Sequence, residues 1–124
     1  MKQEEITKIV NKVYPLICAD YNSTALVDFH YNIYERLSGT KGMTGEVQAN
    51  AEYDWNKDKI YLYTSQMFSE EDIIRSLIHE CVHSNQSYEL FEALYECDLD
   101  YEHHPYEIEA EHEEEKWKIY KIKK

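Results

Sequence analysis

Apolar positions recur along this chain with two different periods, and each period predicts its own kind of element. Ile6, Ile9, Val10, Val13, Leu16 and Ile17 lie three and four residues apart with Glu and Lys between them, so residues 3–19 are expected to form an amphipathic helix. Pro15 falls late in that pattern and is expected to kink or end the helix near Tyr14. From residue 25 to 64 the period shortens to two. Val27, Phe29, Tyr31 and Ile33 alternate with Asp28, His30 and Asn32, which reads as a strand; a helix from Thr24 to Leu37 closed by Gly39 competes with it. Val47, Ala49, Ala51, Tyr53 and Trp55 alternate with acids and amides as a second strand. A tight turn at Asn56-Lys57-Asp58-Lys59 then leads into a third, Ile60 to Thr64. These make a small three-stranded, mostly antiparallel sheet with one face left for helices.

Beyond residue 69 the helical period returns. Ser69 before Glu70, Glu71 and Asp72 reads as an N-cap with acids in the first turn, where the helix dipole favours them. Ile73, Ile74, Leu77, Ile78, Cys81 and Val82 form a broad apolar face, and Asp72, Ser76, His79, His83 and Gln86 fall on a separate polar stripe. Residues 88–101 mix apolar and acidic positions and either extend this helix or loop over a cleft. A last helix is expected over residues 105–122, with Pro105 in its first turn, acids early, lysines late, and Glu114 and Lys118 paired on a solvated face. The expected fold class is therefore α+β, a single domain over residues 1–124: an N-terminal helix, the sheet, and two further helices.

Composition narrows the partners. Lys and Arg number 13 against 25 Asp and Glu, a formal net charge of −12, which excludes non-specific nucleic-acid and acidic-membrane binding. No apolar run reaches spanning length, and the N-terminus lacks the apolar core of a signal peptide. Cys18, Cys81 and Cys97 are an odd count without a C-x-x-C pair, so the expected setting is reducing and cytoplasmic, with no disulfide framework. The run Glu96, Asp98, Asp100 and Glu102 lacks the glycine and spacing of a calcium loop and reads as solvated.

One stretch makes a definite chemical claim: His79-Glu80-Cys81-Val82-His83. Residues four apart stack on one helix face, so His79 and His83 can grip one metal ion. Glu80 projects about 100° round the helix from His79, beside the ion and not on it, as a general base requires. Zinc is favoured, because imidazole and carboxylate suit it and an open position serves catalysis. A metzincin would carry a third His where Glu89 stands and a glycine at Gln86, so that class does not fit.

His79-Glu80-x-x-His83 followed, 24 residues after His83, by Glu107-x-x-Ala110 resembles the gluzincin metallopeptidases. In outline the element order is similar to the small single-domain minigluzincins and to SprT-like and phage-encoded domains. The resemblance implies a zincin-like fold and a zinc ion held by His79, His83 and Glu107, with Ala110 letting two helices approach. It also implies that Glu111 orients a zinc-bound His. Glu109 remains the rival third ligand. The implied function is hydrolysis of a peptide bond by a metal-activated water with Glu80 as general base. Tyr101, His103, His104 and Tyr106 are the candidates for stabilising the oxyanion, although His103 and His104 read first as plain loop histidines. The partner is then a peptide or protein substrate, basic or neutral in view of the acids, held by strand addition along an edge expected at Ile60–Thr64. Two alternatives stay open: a metal-binding regulatory or latent protease-like protein that needs a partner, and a non-enzymatic acidic interaction protein.

Overall fold

In the computed structural model, which describes residues 1–38, 49–97 and 104–122, the N-terminal helix is α1 (Gln3–Tyr21). It buries Ile6, Val10, Val13 and Ile17, the expected face, and stops at Asn22, which takes the left-handed conformation at φ 52°. Pro15 does not end it. Pro15 and Asn11 are both exposed, so the carbonyl that loses its donor faces solvent, while burial of Ile17 holds the last turn in place.

The alternating stretch after α1 divides in two. Strand β1 (Leu26–His30) carries the first half of the pattern, and helix α2 (Ile33–Ser38) takes the rest, so neither a strand through Ile33 nor a helix from Thr24 is formed. Asn32 is the reason: its side-chain oxygen accepts from Glu35 N at 2.8 Å and its carbonyl accepts from Arg36 N, an N-cap that outcompetes the strand ladder. The second strand is described only as β2 (Ala51–Asp54), since residues 46–48 of the expected run, like the glycines 39, 42 and 45, lie outside the described residues. Asp54 Oδ1 accepts from the backbone of Asn56 and Lys57, which turns the chain into β3 (Lys59–Tyr63).

The sheet order is β1-β3-β2. β2 and β3 form the expected antiparallel hairpin, but β1 pairs with β3 in parallel, so the sheet is mixed. The cause lies at the end of α1, where Leu26 N bonds Asp58 O and β1 starts level with the start of β3. One expectation fails here: Ile60–Thr64 is no edge. β3 is the central strand, and among the described residues β2 is the edge on the side of the site. Ile60 and Leu62 of β3 are fully buried under the helices.

Three helices follow: α3 (Glu70–Ser84), α4 (Tyr88–Glu96) and α5 (Pro105–Glu114), the last continuing as a 3-10 stretch, Glu115–Tyr120, where an unbroken helix to residue 122 was expected. Ser69 caps α3 by accepting from Asp72 N at 3.2 Å, and Asp72 returns the bond to Phe68 N. Ile73, Ile74, Leu77, Ile78 and Cys81 are fully buried between α1, β3 and α5. The apolar face of α3 thus makes the core, and its polar stripe is left for chemistry. Ala110 of α5 is also fully buried, and its missing bulk lets α5 close on α3.

Candidate metal centre

Capping fixes where α3 begins, and its apolar face fixes its rotation, so the polar stripe can only open towards β2 and α5. Asp72, Ser76, His79 and His83 line a cleft there of about 650 Å³. Arg75 and Glu80 of α3, Glu107 and Glu114 of α5, and residues 49–53 and 55 bound the same space.

His79, Glu80 and His83 each bring one ligand atom to within 4.8 Å of the others. This cluster can hold a metal ion. The two imidazoles stand edge to face with centroids 4.8 Å apart. Glu107, 4% exposed at the start of α5, closes the group from the opposite wall: its carboxylate lies 3.1 Å from His79 Nε2 and 2.7 Å from His83 Nε2. Glu109, the rival, is exposed and lies 3.4 Å from the Gln86 amide.

Each histidine is oriented through its other nitrogen. His79 Nδ1 donates to Glu114 Oε2 at 2.6 Å, and His83 Nδ1 donates to Gln86 Oε1 at 2.6 Å. The Gln86 amide orientation follows from the same network, because its nitrogen reaches the carbonyl of Tyr106 at 3.2 Å. In neutral imidazoles of this tautomer both Nε2 lone pairs face the Glu107 oxygens. Three acceptors pointed at one spot need a cation between them, or a proton on each ring. Without metal the protons prevail. Burial pulls the His79 imidazolium down, but the hydrogen bonds to Glu107 and Glu114 outweigh it and lift its pKa to about 10; His83 is raised in the same way.

Glu80 differs from the ligand-type groups. It is 5% exposed, and its Oε2 is buried with no hydrogen-bond partner among the described residues. Burial pushes its pKa up to about 7, against the attraction of His83 and His79. A buried carboxylate with an unpaired oxygen beside two convergent imidazoles is the orphan that a bound cation with a solvent ligand would satisfy. Two imidazole nitrogens and a carboxylate, 2.7 and 3.1 Å apart, beside that orphan oxygen are a donor set that can hold a metal ion.

Some expected roles move. Glu111 is exposed, and the carboxylate that meets His79 is Glu114, two turns after Glu107 on the same face of α5; Glu114 accordingly turns inward instead of pairing with Lys118 on the surface. Its other oxygen lies 4.0 Å from Arg75, whose Nε also bonds Glu71 at 2.7 Å. His104 is no helper to an oxyanion: fully buried, it caps α5 by accepting from Tyr106 N, and its Nε2 donates to the carbonyl of Phe91. Tyr106 stacks on Phe91. Tyr101 and His103 lie outside the described residues, as does most of the acidic run at 96–102. In the sequence Gln86 falls on the polar stripe without a task and Glu114 pairs with Lys118, and nothing there assigns Glu114 or Arg75 to the site. Gln86 carried a signal, one turn after His83. Glu114 carried none beyond its phase on α5.

Compared with protein-family models, with curated proteins and with solved structures, the chain matches none. The site stands on its own geometry.

Proposed function

We propose that this chain is a zinc-dependent peptidase of the gluzincin type, with His79, His83 and Glu107 as the zinc ligands and Glu80 as general base. The observation that carries the reading is the division of labour among four buried groups. Two Nε2 lone pairs and one carboxylate converge on a single point, while a second carboxylate stands beside them with an oxygen unspent. A metal-storage or purely structural site would have no use for that fourth group. Zinc held there supplies Lewis acidity, making water more acidic and the substrate carbonyl more electrophilic.

The chain's own residues do the rest. Glu80 takes a proton from the attacking water and passes it to the leaving amine. Glu114 and Gln86 keep the two imidazoles in the tautomer that presents Nε2. Strand β2, the edge strand among the described residues, offers its outer side to an extended peptide lying in the cleft. Arg75 is the cationic side chain on the cleft wall among the described residues; one turn before His79, it is the candidate second donor to the oxyanion.

The test is hydrolysis of an unstructured protein such as casein by zinc-loaded protein. Cleavage is expected to stop with a chelator, return with zinc, and fall by a factor of about 10²–10⁴ in Glu80→Gln. Cleavage that is unaltered in Glu80→Gln, or no cleavage at full zinc occupancy, overturns the proposal.

A further inference from the structure

The cleft is not uniform along α3. At its Asp72 end the walls are charged, with Asp72, Arg75 and Glu114. At its His83 end they are aromatic. Trp55 lies just past β2 and continues the phase of Ala51 and Tyr53; its ring is 4.9 Å from Phe91 and 5.8 Å from His83. Phe91 is in turn 5.7 Å from His83, so the three rings make a corner around that imidazole. Tyr88 covers the outer side of Trp55 at 5.4 Å and is itself 43% exposed.

The corner is anchored to the site. Trp55 Nε1 donates to the main-chain carbonyl of Gln86 at 3.2 Å, and the side chain of the same Gln86 holds His83 Nδ1. One residue therefore sets both the indole and the imidazole. An aromatic clip holding α4 to the body would account for Tyr88 and for one side of Phe91. It does not account for Trp55 and Phe91 both lining the open cleft, where water would otherwise wet apolar rings. A peptide added to β2 turns alternate side chains towards α3, and one of them meets this corner beside His83.

We propose that Trp55 and Phe91 are specificity-determining residues that select a peptide with an aromatic or large aliphatic side chain next to His83. This deepens the peptidase reading and rests on it for the identity of the ligand as a peptide. Glu80→Gln, combined with Trp117→Phe so that Trp55 is the sole tryptophan, allows binding to be followed by fluorescence without turnover. The probes are acetyl-Ala-X-Ala amides with X as Phe, Leu, Lys or Gly, titrated with and without added zinc.

Phe and Leu peptides are expected to bind at least about tenfold tighter than Gly or Lys peptides and to shift Trp55 emission. Phe91→Ala should erase the preference, and Phe91→Leu, which keeps an apolar wall and guards against mere loss of folding, should keep most of it. Equal affinity for the four peptides, including none measurable for any, overturns the proposal. The two readings separate cleanly. Phe preference in binding with no cleavage by wild type leaves the wall and removes the peptidase; cleavage indifferent to X leaves the peptidase and removes the wall.

Discussion

A histidine can present either ring nitrogen to a metal, and the partner on the other nitrogen decides which. Here Glu114 and Gln86 take the two Nδ1 atoms, so both Nε2 atoms face Glu107. Glu114→Ala and Gln86→Ala should therefore each weaken metal affinity by a factor of about 10–100, measured by competition with a coloured chelator. Glu111→Ala, on the exposed side, should leave it unchanged; a loss there equal to that of Glu114→Ala would contradict the assignment. The pairing of His79 with His83, and Glu80 beside them, was legible because residues four apart share a helix face; Glu107 came only from the resemblance, through its Glu-x-x-Ala match. Glu114 was not legible, since its role depends on how α5 is rotated against α3, which the packing of Ala110 decides and no local pattern records. His104 had two readings in the sequence, an oxyanion helper or a plain loop histidine, and the first falls because its two nitrogens are spent on a cap and a carbonyl.

The elements depend on short polar signals more than on the apolar periods. The Ser69 cap sets the start of α3 and so the direction in which His79 and His83 point. Ser69→Ala should cost about 1 kcal/mol, seen as a lower midpoint in urea with an unchanged slope. An unchanged midpoint would show the cap to be idle. Asn32 does the same for α2, and overlooking it made one strand out of a strand and a helix. The alternation of β1, β2 and β3 was readable, but strand order was not. A tight turn predicts a hairpin, whereas the parallel partner of β3 is chosen by where α1 delivers the chain, a tertiary fact.

At the scale of the whole molecule, phenols tie distant segments to carboxylates, Tyr21 to Glu113 and Tyr120 to Asp20, while Tyr53 closes the β2–β3 turn on Asp58. Burial, and then these bonds, raise all three above the ordinary value near 10. A raised folded-state pKa leaves their stabilisation intact below pH 10 and removes it as the pH climbs further. Thermal melts should thus show a steady fall in midpoint above about pH 10, shallower in Tyr120→Phe; a flat profile there would contradict the linkage. Metal should act in the opposite sense. An ion joining α3 to α5 stabilises the folded chain by about 2.7 kcal/mol at a free concentration 100 times its Kd. The most direct test of the account is the metal content of the purified protein by elemental analysis, beside Glu107→Ala and Glu109→Ala. The account predicts one zinc per chain in wild type and in Glu109→Ala, and its loss in Glu107→Ala. No metal in wild type, and none taken up on titration with zinc, would contradict it.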